Sequence, residues 1–141
     1  MNDPELQSAI DAFEAGDFPQ AARLLEPLAN AGEAEAQFRM ALTCQNGLGI
    51  EMDPDKAFEW MRSAAEQGHA MAQHGLGFMY LHGECTDKDG ALAVEWLSKA
   101  AGQGLQGART TLGLMYRQGL GVAPDEEKAR YWYRQAGFDD V

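Results

Sequence analysis

The chain has 141 residues, 45% of them hydrophobic, enough for a folded unit with a real core and too many for a disordered one. Acidic residues outnumber basic ones 22 to 11, a net charge of −11, which argues against nucleic acid and anionic lipid surfaces as partners. The start, Met-Asn-Asp-Pro-Glu-Leu, has no basic segment leading into an apolar one, and no run approaches about 18 uninterrupted apolar residues, so a cytoplasmic protein without a membrane span is expected.

Taken in order, Leu6, Ile10 and Phe13 mark a first helix reaching about Ala15, and Gly16-Asp17 turns directly into a second. From Gly32 onward the chain repeats itself. Gly32, Gly68 and Gly104 stand 36 residues apart, as do Gly47, Gly83 and Gly119, and Asp53, Asp89 and Asp125. A fixed period over several units signals stacked supersecondary units, none of which buries its apolar face alone.

In each unit a first helix carries an apolar face: Ala36, Met40, Ala41, Cys44; then Ala72, Leu76, Gly77, Tyr80; then Ala108, Leu112, Gly113, Tyr116. The small third member of each set lets a neighbouring helix come close. A glycine-containing loop follows, and a second helix opens at an aspartate whose side chain can accept from unpaired first-turn amides: Asp17, Asp53, Asp89, Asp125. Behind it runs a stripe in i, i+3, i+4, i+7 spacing: Ala21, Leu24, Leu25, Leu28; Ala57, Trp60, Met61, Ala64; Ala93, Trp96, Leu97, Ala100; Ala129, Trp132, Tyr133, Ala136. Residues 1–31 hold the second half of the unit in register and a shortened first half, as a terminal capping repeat does.

The third unit reads Leu112-Gly113-x-x-Tyr116-x-x-Gly119-x-Gly121-Val122, then Asp125-x-x-Lys128-Ala129-x-x-Trp132-Tyr133. It resembles the Sel-one-like repeat (SLR), a relative of the tetratricopeptide repeat. The second unit keeps Ala72-Gln73, Leu76-Gly77, Tyr80 and Gly83 but has Cys85 and Asp89-Gly90 where the pattern is looser. The first keeps Ala36-Gln37, Gly47-x-Gly49 and Asp53-x-x-Lys56-Ala57 but has Cys44 for the usual aromatic. Gly16-Asp17-Phe18 is similar to an ordinary tetratricopeptide unit. The resemblance implies an all-α, right-handed α-solenoid (alpha-alpha superhelix) of about eight helices in antiparallel pairs. It is one repeat domain over 1–141: a capping unit at 1–31, repeats at 32–67, 68–103 and 104–137, and a tail at 138–141.

It also implies a non-catalytic adaptor or scaffold that binds a peptide or partner protein on its concave face. By analogy with tetratricopeptide geometry that face carries Glu35, Phe38, Leu42, Asn46, Met71, His74, Phe78, Leu81, His82, Leu114, Arg117 and Gln118. The plainer reading half-buries Leu42, Phe78 and Leu114 between helices. Charge is uneven: residues 1–59 hold 12 acids and 3 bases, against 10 and 8 in residues 60–141. A basic partner would favour the N-terminal half, although a solvated acidic surface explains the same excess. The rival function is structural. After Ala136 too few residues remain here for a covering helix, and Tyr131, Tyr133 and Phe138 are the expected self-association surface of a monomer or weak homodimer, unless Phe138 folds back as a minimal cap.

Chemistry is sparse. Gly102-Gln103-Gly104-Leu105-Gln106-Gly107 matches G-x-G-x-x-G by letters but joins two helices, so no nucleotide or other cofactor is expected. His69, His74, His82 and Cys85 fall close together, but His74 and His82 lie two turns apart, roughly 12 Å, too far to share a metal ion; surface histidines are expected. Cys44 belongs at a core position and Cys85 in a loop, which disfavours a disulfide between them. Some cysteine-rich relatives carry a disulfide in each repeat and are linked to penicillin binding, and a hydrolase of that type is the third reading. No serine has a lysine three residues on, so the S-x-x-K nucleophile is absent and no enzyme is expected.

Overall fold

A computed structural model describes residues 3–138. Among them are eight α-helices and no strand: α1 Pro4–Glu14, α2 Phe18–Asn30, α3 Ala34–Asn46, α4 Pro54–Glu66, α5 Ala70–His82, α6 Gly90–Gly102, α7 Gln106–Gln118 and α8 Glu126–Gln135. The chain divides into two compact units, Met1–Ala72 and Gln73–Val141.

In the first unit α1 packs on α2, α2 on α3, and α3 on α4. The core residues there are small or flexible: Ala9, Ala21, Leu25, Ala29, Ala36, Met40, Ala41, Cys44, Ala57, Met61 and Ala64 are all buried. Alanines at helix contacts let the backbones approach, and Leu and Met fill what is left. Two polar side chains are buried with them. Gln37 donates from Nε2 to the Ala29 carbonyl at 3.1 Å and accepts at Oε1 from Gln67 Nε2 at 2.8 Å, so its amide is matched on both sides. Thr43, also buried, returns its hydroxyl to the Arg39 carbonyl at 2.8 Å.

In the second unit the core is Ala93, Leu97, Ala100, Ala101, Ala108, Leu112 and Met115, with Tyr80, Leu81, Val94, Leu105, Val122 and Trp132 packed against it. Gly77 and Gly113 are there for proximity. A Cβ at Gly77 would stand 2.6 Å from Leu97 Cγ, and one at Gly113 would stand 2.9 Å from the Tyr133 ring. Gln103 Nε2 donates to Gln73 Oε1 at 2.9 Å, the same device as Gln67 with Gln37. Where the third repeat substitutes Arg109 for the glutamine, its guanidinium reaches the Gln135 carbonyl at 3.1 Å instead.

Three of the four expected aspartate caps form. Asp53, Asp89 and Asp125 accept from the amides of Lys56, Leu92 and Lys128 at 3.1, 3.0 and 3.1 Å. Asp17 does not cap with its side chain. Its backbone sits at φ −84°, ψ 71°, whereas the other three have φ near −150°; the Gly16-Asp17 connection is tight, closed by the Asp17 amide on the Ala12 carbonyl. Asp3, not foreseen, caps α1 through the amides of Glu5 and Leu6.

Candidate interaction faces

On α3, Glu35 is already engaged: its carboxylate accepts from Arg39 Nε at 2.7 Å and from His69 Nε2 at 2.9 Å. The His69 ring accepts at Nδ1 from the Ala72 amide at 3.1 Å, which leaves Nε2 as the protonated nitrogen facing Glu35. That hydrogen bond holds the Glu35 carboxyl below its usual range, with Arg39 acting in the same direction and burial opposing both. Phe38 stacks on the His69 ring with centroids 4.9 Å apart. Leu42 is half-buried, Asn46 is exposed and donates back to the Leu42 carbonyl at 3.1 Å, and Met71 is 46% exposed.

In the second unit α5 carries a column of rings. His74 meets Phe78 edge-on at 4.6 Å, and Phe78 stacks on His82 at 5.6 Å. His74 is half-buried beneath Gly107 of α7, and its Nε2 has no hydrogen-bond partner; burial pushes its pKa down. Leu81 is half-buried against the core, while His82 and Gln118 are exposed and Leu114 is 38% exposed. Arg117 pairs with Glu126 at 2.9 Å and lies over the Tyr133 ring at 4.8 Å.

At α8, Tyr131 is 53% exposed and Phe138 46% exposed, whereas Tyr133 is half-buried against Gly113. Phe138 sends its amide to the Tyr133 carbonyl at 2.9 Å and sets its ring edge-on to Tyr133 at 6.1 Å. The remaining tail, 139–141, lies outside the described residues.

The histidines differ from the expected surface placement, because His69 and His74 are only partly exposed and each packs on a phenylalanine. The part played by His69 was missed from sequence; its signal was position, the residue after the repeat glycine, where a side chain can reach the next helix's first turn. Neither Cys44, which is buried, nor Cys85, which is half-buried, is in a disulfide. Among the described residues no group of three or more His, Cys, Asp or Glu is placed to hold a metal ion. Nor is any helix among them long and apolar enough to cross a membrane.

The pairing of a small-residue first helix with an Asp-capped second, repeated in register, matches the Sel1 repeat family over residues 34–69, 70–105 and 109–137. The chain is a member of the Sel1 repeat family. Sel1 repeat proteins are typically non-catalytic modules for protein–protein interaction. Among the solved structures similar to this one are two at 32% identity. A Sel1 repeat protein from Oxalobacter formigenes superposes with a TM-score of 0.86 at 32% identity, over 96% of this chain and 54% of that one. A protective antigen of uropathogenic Escherichia coli with an SLR fold gives 0.87 at 32% identity, over 94% of this chain and 29% of that one. This Sel1 chain thus spans about half of the first and under a third of the second. Helicobacter pylori cysteine rich protein B, at 22% identity and a TM-score of 0.60, covering 96% of this chain and 90% of its own, shares the fold. No curated protein matches the sequence.

Proposed function

We propose that this Sel1 chain is a non-catalytic adaptor that holds extended or helical segments of a partner protein on the outward faces of the first helices of each unit. The observation that carries this reading is the α5 ring column: Phe78 lies between His74 and His82, with the partly exposed Leu114 on α7 of the same unit. Rings held in place by neighbours lose little entropy on binding, which is why aromatic side chains dominate binding hot spots. In the other unit Phe38 and Leu42 supply the apolar part. Glu35 stays in its internal network with Arg39 and His69, so it orders Phe38 rather than offering a free charge. The acidic excess of residues 1–59 favours a partner segment with basic flanks.

Replacing Phe38 and Phe78 by Ala should weaken binding to a partner recovered by affinity capture by more than about 1 kcal/mol each. Helicity should be unchanged by circular dichroism. Undiminished binding by folded variants would move the contact elsewhere. The second reading, self-association, rests on Tyr131 and Phe138 standing in water. Light scattering over a concentration series tests it, and a monomer at the highest concentration defeats it.

A further inference from the structure

Cys44, Tyr80 and Tyr116 occupy one position of the repeat, 36 residues apart. The backbone there is the same in all three. Each carbonyl accepts from the amide of the capping aspartate that follows: Asp53 on Cys44 at 2.9 Å, Asp89 on Tyr80 at 2.9 Å, Asp125 on Tyr116 at 2.8 Å. In the later repeats the position carries a phenol ring. Tyr80 packs against the core of its unit, and Lys128 sets its ammonium over the Tyr116 ring, 5.3 Å from the centroid.

In the first unit the side chain stops at one sulfur. A cavity of about 230 Å³ opens beside Cys44, walled by Met40, Trp60 and Ile50, with Lys56, Glu26 and Glu59 at its polar edge. Lys56 precedes Lys128 by 72 residues, the same interval that separates Cys44 from Tyr116. The lysine that covers a ring in the third repeat therefore has its counterpart on this cavity.

We propose that the Cys44 cavity is a binding site for a phenolic ring, seated where the later repeats carry their own tyrosine, with the Lys56 ammonium over its face. Size permits it: an apolar cavity of about 150 Å³ accepts a benzene ring. The floor is neutral, because burial first and the Asp53 charge second push the Cys44 thiol pKa up and keep it protonated. Trp60 offers an aromatic wall, Lys56 a cation for the ring face, and the two glutamates acceptors for the phenol O–H. The phenol can be a free molecule or the tyrosine side chain of a polypeptide. The site is separate from the first-helix faces and does not depend on the adaptor reading.

The test is titration of the full chain with p-cresol and, separately, with N-acetyltyrosinamide, followed by ¹H–¹⁵N NMR at the Trp60 indole and at the Met40 and Cys44 amides. Saturable shifts confined to those signals are expected with p-cresol. Cys44→Tyr, which places the repeat's own ring in the cavity, should weaken p-cresol by at least about tenfold, because ring burial supplies the affinity. Cys44→Leu is the smaller filling should the tyrosine variant misfold. N-acetyltyrosinamide binding alongside p-cresol supports the site and points to a polypeptide tyrosine; p-cresol binding alone supports it and points to a free phenol. Absence of saturable p-cresol shifts, whatever N-acetyltyrosinamide does, or undiminished p-cresol binding in folded Cys44→Tyr or Cys44→Leu, overturns the proposal.

Discussion

The α3–α4 pair of the first unit and the α7–α8 pair of the second are built on one repeat, yet they are filled differently. α3 has Met40, Thr43 and Cys44 where α7 has Leu112, Met115 and Tyr116, and α4 has Met61 where α8 has Tyr133. Both keep the same loop closure and the same aspartate cap. The second pair is filled by aromatic rings locked by cations, Arg117 over Tyr133 and Lys128 over Tyr116. The first is filled by flexible methionines and leaves a cavity. Backbone hydrogen bonds and caps hold the repeat, so side-chain volume is free to vary between copies.

Core truncation should separate the two most strongly. Leu112→Ala removes a fully buried side chain and should cost about 2–5 kcal/mol in denaturant unfolding. Met40→Ala, the same position in the first unit, should fall at the low end of that range, since Met40 already borders an open cavity. Equal losses would show that the first unit is as tightly filled as the second.

The loops give the next largest contrast. Gly49, Cys85 and Gly121 share a register position and all have positive φ, 76°, 64° and 73°. A Cβ at Gly49 would also stand 2.6 Å from the Phe18–Pro19 backbone, so Gly49→Ala should destabilise by about 1–3 kcal/mol. Cys85 already bears the left-handed conformation with a side chain. Cys85→Gly should therefore be neutral to stabilising by about 1 kcal/mol, strain relief being set against glycine's extra entropy. A loss of stability there would mean that the Cys85 side chain contributes more than its backbone costs.

Caps follow. Asp125→Ala should cost about 1 kcal/mol in thermal unfolding, whereas Asp17→Ala should cost less than about 0.5 kcal/mol, having no capping bond to lose. Similar effects at both positions would remove the distinction between the short first turn and the later loops.

The smallest contrast is with pH. His74 is depressed by burial from its ordinary value of 6.5, so its contribution is complete above that value and is lost as pH falls through the folded-state one. Glu35 is lowered from 4.5, chiefly by the His69 hydrogen bond, so its contribution is complete above that value and is lost at lower pH. Thermal midpoints should therefore decline on acidification in two stages. His74→Phe should remove the upper stage and leave the lower one, and an unchanged profile would refute the assignment.

The eight helices and the family were legible in the sequence, because the fixed period aligns glycines, aspartates and apolar stripes whose roles are local. A loop glycine, a cap and a helical face depend on neighbours within a few residues. Asp17 was misread because capping also depends on the dihedrals that a loop imposes. The tertiary structure alone decided the rest. It engaged Glu35 with His69 across 34 residues, seated Phe78 between two histidines, put Tyr133 against Gly113, and left space beside Cys44. Those outcomes turn on distance and volume between elements far apart in the chain, and periodicity carries information only about which face a residue occupies.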